Sequence, residues 1–391
     1  MADARDQPPP PARGVKVLEI SNVDFSLRQF VLPLMRAIRA RGHEVVGVSA
    51  DGALLDDVRA EGFRVITLTF GRRLFTLAHP RAFLALVALL RAEKPDLVHA
   101  HMPISGFLAR MAAWVAGVPR IAYTCHGFWF NAPASPFRRG LGYATEWLAA
   151  RVTHVFMTVS VEEARDARRV GIARHAVAIG NGRDPAVFRP DPEARARLRA
   201  AFGVPPERVV ILAASRLVRH KGYPELIAAL RAMPAGAGPA GETPEVELWV
   251  AGARLPTDNG PDMARLLADA GLGARLRLLG YRSDVPALMA AADIFVLPSH
   301  LEGLPMAVIE AMLCALPVVS TDIRGPREQV VPEVTGLLVP RGTVAPLVAA
   351  LTRLAQDPAL RAAMGTAGRA RACEVYDEST VIARTLDLLG L

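Results

Sequence analysis

Short runs of aliphatic and β-branched residues return along almost the whole chain, each followed by a longer stretch with helical periodicity. In the first half they are Val15–Ile20, Glu44–Ser49, Arg64–Leu68, Asp96–Ala100, Arg120–Thr124 and Val155–Ser160. The rhythm pauses at Arg189-Pro190-Asp191-Pro192 and resumes at Arg208–Ala214, Val246–Ala251, Leu276–Gly280, Asp293–Pro298 and Pro317–Thr321. Strands that alternate with helices pair in parallel, because a parallel pair needs a crossover connection, and the helices then cover both faces of the sheet. With 391 residues the chain is too long for one such domain and comfortable as two. The predicted fold class is α/β, two doubly wound, Rossmann-like domains facing each other across a cleft.

The expected boundaries are a disordered tail over residues 1–13, where Pro8 to Pro11 interrupt any periodicity, a first domain over 14–185 and a second over 186–374. Residues 375–391 hold a terminal helix, centred on Tyr376–Leu389.

In open parallel sheets ligands bind beyond the carboxyl ends of the strands, so the segments following each apolar run deserve the closest reading. The run ending at Pro298-Ser299 leads into Glu302-Gly303-Leu304-Pro305-Met306-Ala307-Val308-Ile309-Glu310. Pro305 suits a first helical turn, where a missing N–H costs nothing. The N–H groups of Met306, Ala307 and Val308 would then point forward in a field that favours phosphate. Glu310 falls one turn behind Met306, where a carboxylate can accept both hydroxyls of a ribose. The run ending at Ala213-Ala214 leads into Ser215-Arg216-Leu217-Val218-Arg219-His220-Lys221-Gly222. Arg216 and Lys221 would bring a planar fork and a compact point charge to a diphosphate. Of the 46 basic residues only Lys16, Lys94 and Lys221 are lysine, so a lysine retained between His220 and Gly222 stands out.

Other signals exclude chemistry. Gly236-Ala237-Gly238-Pro239-Ala240-Gly241 spells a dinucleotide fingerprint, but it lies between a helix and a strand, the reverse of the required order, so no nicotinamide or flavin cofactor is expected. Cys125, Cys314 and Cys373 are odd in number and far apart, which suggests neither a disulfide framework nor zinc. There is no Asp-x-Asp triplet of the kind that holds a divalent ion on a diphosphate. No signal peptide and no apolar run of spanning length is present, which predicts a cytoplasmic chain. The net charge of +8 arises entirely within residues 1–185, the remainder balancing to zero. A basic half without a nucleic-acid motif suits an anionic membrane surface better than nucleic acid.

Taken together, four segments in this order resemble the family 4 glycosyltransferases of the GT-B fold, over nearly all the chain. Ser215-Arg216 through Lys221-Gly222 resembles the family's donor-phosphate loop, and Glu302 through Glu310 its two-glutamate signature. Asn181-Gly182-Arg183-Asp184 resembles the Asn-Gly-x-Asp interdomain segment, and Thr124-Cys125-His126-Gly127 the His-Gly that ends a strand of the first domain. The resemblance implies a retaining, metal-independent transferase with no cofactor beyond its nucleotide-sugar substrate. It implies that the first domain holds the acceptor, the second the donor, and that the terminal helix crosses back to the first domain. Arg216 and Lys221 would neutralise the leaving diphosphate, Glu310 bind the ribose and Glu302 lie by the donor sugar. Backbone from Gly303, Leu304, Pro305 and Met306 would touch sugar and phosphate, Arg282 would lie by the base, and His126 would sit beside the transferred sugar.

Ser21-Asn22-Val23-Asp24-Phe25-Ser26 departs from the glycine pair that many members carry after their first strand. With Val98-His99-Ala100-His101 and His126-Gly127-Phe128-Trp129-Phe130 it is closer to the bacterial exopolysaccharide and capsule branch. That branch implies a UDP-sugar donor, an N-acetylhexosamine being the expected sugar, and a polyprenyl-diphosphate-linked saccharide as acceptor. Asp24, Ser26 and His101 are candidates for acceptor contact. His99 and His101 are placed on opposite sides of their strand, which would keep them from sharing a metal. Arg72-Arg73-Leu74-Phe75 and the aromatic and arginine residues of Phe128–Arg139 are candidates for peripheral contact with the inner face of the membrane, whereas Phe83–Leu90 suits a core-facing helix. Transfer to a soluble acceptor, a UDP-sugar 2-epimerase of the same fold and a non-enzymatic nucleotide-binding relic are the alternatives.

Overall fold

The structure, a computed structural model, describes residues 14–70, 78–131, 135–234, 245–254, 258 and 260–391. The 1–13 tail, Arg72–Phe75 and Gly236–Gly241 lie outside the described residues. The chain divides into two compact units, one running to Gly180 and including Thr380–Leu391, the other Asn181–Ser379.

The first unit is built on a seven-stranded sheet of β1 (Lys16–Ile20), β2 (Glu44–Ser49), β3 (Arg64–Thr67), β4 (Leu97–His101), β5 (Arg120–Cys125), β6 (Val155–Thr158) and β7 (Val177–Ala178), in the order β3-β2-β1-β4-β5-β6-β7. All pairings are parallel. Alternate residues serve alternate faces. Leu18, Ile20, Val98, Ala100 and Tyr123 join one core with the helices Ala78–Glu93 and Pro103–Ala116. Val17, Leu97, Ala122 and Met157 join another with the helix Leu32–Ala40 and the terminal helix Glu378–Leu389, whose Leu386 and Leu389 are buried there. The strand order reverses between β1 and β4, so a crevice opens beyond the carboxyl ends of those two strands.

Within this unit Arg110, wholly buried, lies 3.7 Å above the Tyr123 ring and donates from Nη2 to Glu146 Oε2 at 2.8 Å, while Tyr123 Oη donates to Glu146 Oε1 at 3.0 Å. Gly106 makes room for this stack, since a Cβ there would lie 2.5 Å from Tyr123 Cε2.

The second unit is built on a six-stranded parallel sheet of β8 (Val209–Ala214), β9 (Val246–Ala251), β10 (Leu276–Gly280), β11 (Ile294–Leu297), β12 (Val318–Thr321) and β13 (Gly336–Val339), in the order β10-β9-β8-β11-β12-β13. Ile211, Leu248, Ile294, Val296 and Val319 form one core with the helices Tyr223–Ala232 and Ala345–Gln356. Here the order reverses between β8 and β11, the two strands that feed the Ser215–Gly222 and Pro298–Met306 loops.

Candidate active site

In the second unit the two loops at this reversal are fastened to each other. His300 N donates to His220 O at 2.7 Å, and Gly222 sits so close to Pro298 that a Cβ would come within 2.0 Å of the Pro298 carbonyl oxygen. Gly222 also has φ +81°, which a side chain would strain. Across this seam Lys221 Nζ meets Glu302 Oε1 at 2.7 Å, both side chains largely shielded. Sequence-separated strands thus deliver a cation and an acid to one point.

The helix that follows is Met306–Leu313. Pro305 precedes it in extended conformation (ψ 122°) rather than forming its first turn, and its carbonyl accepts from Gln329 Nε2 at 2.9 Å. No side chain caps this helix start. Gly325 (φ +88°) backs the loop, for a Cβ there would lie 2.0 Å from Gly303 O. Asn181 Nδ2 donates to Leu304 O at 2.8 Å, so the Asn-Gly-x-Asp segment braces the two-glutamate loop directly.

Glu310 is engaged as well. Arg183 Nε donates to its Oε1 at 2.7 Å, in a shielded pair. Arg216, more exposed, pairs with Asp258 at 2.6 Å. Lys221 and Arg216 both reach His220 electrostatically: its pKa is lowered by burial first, then by those two charges. A cavity of about 620 Å³ lies alongside, lined by Val218, Arg219, His220, Asp258 and His300 among others. Arg282 sits just beyond β10 and forms a two-pronged pair with Asp284 at 2.8 and 2.6 Å; neither loop receives its hydrogen bonds. Each of the predicted cations is therefore matched to a carboxylate. The carboxylates Asp258 and Asp284, and Arg183 as the partner of Glu310, carry no signal of these roles in the sequence. Arg183 occupies the unspecified place in its motif, and Asp258 belongs to no motif in the sequence.

In the first unit the crevice beyond β1, β4 and β5 holds a buried polar cluster. Glu19 of β1 is paired in register with His99 of β4, and His101 stands opposite Thr124 of β5. His99 and His101 do not face opposite sides. Two residues apart on a strand they share a face, and their rings lie 4.1 Å apart between centroids. His99 Nδ1 is 3.1 Å from Glu19 Oε1, and His101 Nε2 is 2.8 Å from Glu19 Oε2. His99 Nε2 contacts Thr124 Oγ1 at 2.8 Å, and His101 Nδ1 contacts His126 Nε2 at 3.2 Å. Among the described residues this Glu19–His99–His101 group is the one set of side chains gathered closely enough to hold a metal ion, its ligand atoms lying within 4.8 Å of one another. Both carboxylate oxygens and all four nitrogens of the two rings already have hydrogen-bond partners.

The cluster shifts the acids and bases in it. Burial pushes the Glu19 carboxyl up, but the charge of His99 and the hydrogen bonds from His101 and His99 outweigh it and hold it at about 2. Burial first, and then His99, pull His101 down to about 4 against the opposing pull of Glu19. Burial, then His101 and His99, place His126 well below the ordinary histidine range.

Asp24 turns inward to the neighbouring loop. Its carboxylate accepts from Phe25 N at 2.8 Å and Leu54 N at 3.4 Å, over Gly52, where a Cβ would strike Asp24 Oδ2 at 2.0 Å. Ser26 is buried at the end of the short helical segment Asp24–Ser26.

Comparison with known proteins identifies the family and the fold. Residues 28–187 match the family described as Glycosyltransferase Family 4, and residues 194–371 match Glycosyl transferases group 1. The chain is similar to EpsD of Bacillus subtilis (strain 168), named as a glycosyltransferase, at 29% identity over 94% of each chain. It is similar at 29% identity to the UDP-Gal:alpha-D-GlcNAc-diphosphoundecaprenol alpha-1,3-galactosyltransferase of Escherichia coli, over 78% of this chain and 77% of that one. Its fold matches the crystal structure of Anabaena Alr3699/HepE in complex with UDP and glucose, with TM-score 0.80 and 22% identity over 96% of this chain and 99% of that one. The chain belongs to the family 4 glycosyltransferases, with the GT-B fold, and is a transferase.

Proposed function

We propose that the chain moves a sugar, an N-acetylhexosamine being the first candidate, from a UDP-sugar to a lipid-linked saccharide in exopolysaccharide, capsule or O-antigen assembly. Transfer retains the anomeric configuration and needs neither metal nor cofactor. The observation that carries the donor half is the Lys221–Glu302 contact across the seam of two strand ends, beside an uncapped helix start. Lys221 and Arg216, with the N–H groups of Met306 and its neighbours, supply the positive field that a departing diphosphate requires. Glu310 is held by Arg183 at the helix face where ribose hydroxyls would be received. Glu302 is the acid beside the donor sugar, and Gly303 to Met306 provide backbone contacts. Lys221 pairs with Glu302 and Arg216 with Asp258, so a diphosphate at this point would compete with those carboxylates for the two cations.

For the acceptor, the Escherichia coli relative is named for a substrate on diphosphoundecaprenol, which supports a polyprenyl-diphosphate acceptor here. The surface of the first unit supports membrane contact. Phe137, 70% exposed, Trp147 and Leu148 lie on the helix Pro136–Ala150, and Trp114, 59% exposed, on the helix packed against it. Exposed Arg138, Arg139 and Arg151 accompany them, Arg151 stacking 4.6 Å over Trp147. Aromatic rings with arginines suit an anionic interface. No described helix is long and apolar enough to cross a membrane, so the proposed contact is peripheral, at the inner face. No nucleic-acid partner is proposed.

The test is incubation of the purified protein with UDP-, GDP- and ADP-sugars, each with a polyprenyl-diphosphate saccharide or with free sugars, in buffer with and without chelator. A product on lipid from a UDP-sugar, with the donor's anomeric configuration and no effect of chelator, is expected. Exclusive transfer to free sugars would remove the lipid acceptor, and an epimerised UDP-sugar would replace transfer altogether.

A further inference from the structure

We propose that Glu19 and His101 are positioning residues that fix His126 in a single tautomer, hydrogen on Nε2 and a lone pair on Nδ1, so that His126 accepts a hydrogen bond from a substrate hydroxyl. The inference rests on the sugar-transfer reading and adds to it how one side chain is set for its partner. It follows from the order of contacts in the buried cluster. An ionised carboxylate only accepts hydrogen bonds. Glu19 is wholly buried with an oxygen on each of two imidazoles, so His99 Nδ1 and His101 Nε2 must both donate to it. A neutral imidazole that donates from one nitrogen accepts at the other. His101 Nδ1 is then an acceptor, and the atom facing it at 3.2 Å, His126 Nε2, must be the donor. His126, neutral in its turn, is left with a bare Nδ1, and that atom has no hydrogen-bond partner among the described residues.

The second branch is compatible. His99 donates to Glu19 from Nδ1, and its Nε2 lies 2.8 Å from the Thr124 hydroxyl, a group that can either donate or accept, so no member of the cluster is left with two hydrogens in conflict. His126 is half-buried, while His99, His101, Thr124 and Glu19 are buried behind it. The buried carboxylate therefore acts at a distance. Through one ring it decides that the partly open ring presents an acceptor, and a hydroxyl that must donate is oriented by it. The Phe30 ring packs beside it, its centroid 5.8 Å from that of His126. A carboxylate that orients a histidine through its second nitrogen is a familiar arrangement at metal and hydrolytic sites. Here the effect is carried one histidine further.

The test is long-range proton–nitrogen NMR of the full-length protein labelled with nitrogen-15 histidine, at neutral pH, with metal content measured on the same sample. The expected result is a bare Nδ1 and a protonated Nε2 at His126, with Nδ1 shifting when a UDP-sugar is added. A protonated Nδ1 at His126 overturns the proposal, as does one equivalent of a transition metal on the cluster. In Glu19→Gln the amide can donate to His101 Nε2, which reverses the sequence of hydrogens; His126 should then show hydrogen on Nδ1. Its kcat should fall about tenfold or more, with KM for the nucleotide sugar within about twofold. An unchanged nitrogen pattern in that variant, or wild-type kcat with a changed one, overturns the proposal. Should Glu19→Gln fail to fold, the wild-type spectrum decides alone. The nitrogen pattern is read without turnover, so a wrong donor and a wrong tautomer are told apart.

Discussion

Arg183 Nε lies 2.7 Å from Glu310 Oε1, which joins the segment following the first unit's last strand to the acid that ends the two-glutamate signature. Both side chains are shielded, so the pair is worth more than an exposed one, and losing either partner leaves a charge without compensation. Glu310→Gln should weaken UDP binding by roughly 1.5–3 kcal/mol. Titration calorimetry of UDP measures this, and an unchanged affinity would remove Glu310 from ribose recognition. Arg183→Ala should weaken UDP binding in the same direction, through the disordering of Glu310.

Lys221 is the shielded cation of the seam, and Arg216 the exposed one. Lys221→Ala should lower turnover by about a hundredfold or more, the scale of removing one preorganised charge from a leaving group. Steady-state assays with saturating donor read this directly. Asp258→Asn should act in the opposite sense, tightening UDP severalfold by releasing Arg216 from its acid, as measured by the same titration.

Gly222 is where the two loops touch. Gly222→Ala places a Cβ against the Pro298 carbonyl at a backbone angle that side chains rarely adopt. The expected outcome is a protein that melts only slightly lower but binds UDP at least tenfold more weakly, since the strain falls on the loops and not on the sheet. A wild-type affinity in a folded variant would show that the seam need not be tight.

The histidine cluster makes the first unit acid-sensitive. His101 titrates at about 4 in the folded chain against an ordinary 6.5, so its contribution to stability is complete above 6.5 and is lost as pH falls towards 4. Glu19, at about 2 against an ordinary 4.5, adds a loss that begins below 4.5. Thermal melts should therefore decline from pH 6.5 downward, by on the order of 3 kcal/mol for His101, with His126 adding in the same direction. His101→Gln should lessen that first decline, the part due to His126 remaining, while leaving a loss below 4.5. A decline of equal slope in the variant would assign the sensitivity to other groups.

Much of this was legible in the sequence because strands at a reversal of strand order end in loops whose chemistry is local. Lys221 could be singled out as one of three lysines, and Glu302 and Glu310 by their spacing from a strand end. What could not be read was the identity of partners contributed from elsewhere in the chain. Arg183 lies 127 residues from Glu310, and Asp258 is 42 from Arg216. Glu19 is illegible in the sequence for a related reason: it interrupts an apolar strand, and only the register β1–β4 and the side-chain contacts set His99 and His101 against it. β7, two residues long, and β13, a four-residue Gly-Leu-Leu-Val run, are too short to give a periodic signal. Pro305 stands just before the helix and not in its first turn, its backbone extended and its carbonyl accepting from Gln329 of the helix Pro326–Gln329.

The terminal helix packs Leu386 and Leu389 into the core beneath β1, β4, β5 and β6. During synthesis the first unit must therefore wait, its underside uncovered, while the whole second unit emerges from the ribosome. Chaperone dependence should accordingly concentrate on the half made first, and a truncation before Thr380 should harm that half more than the one it adjoins in sequence.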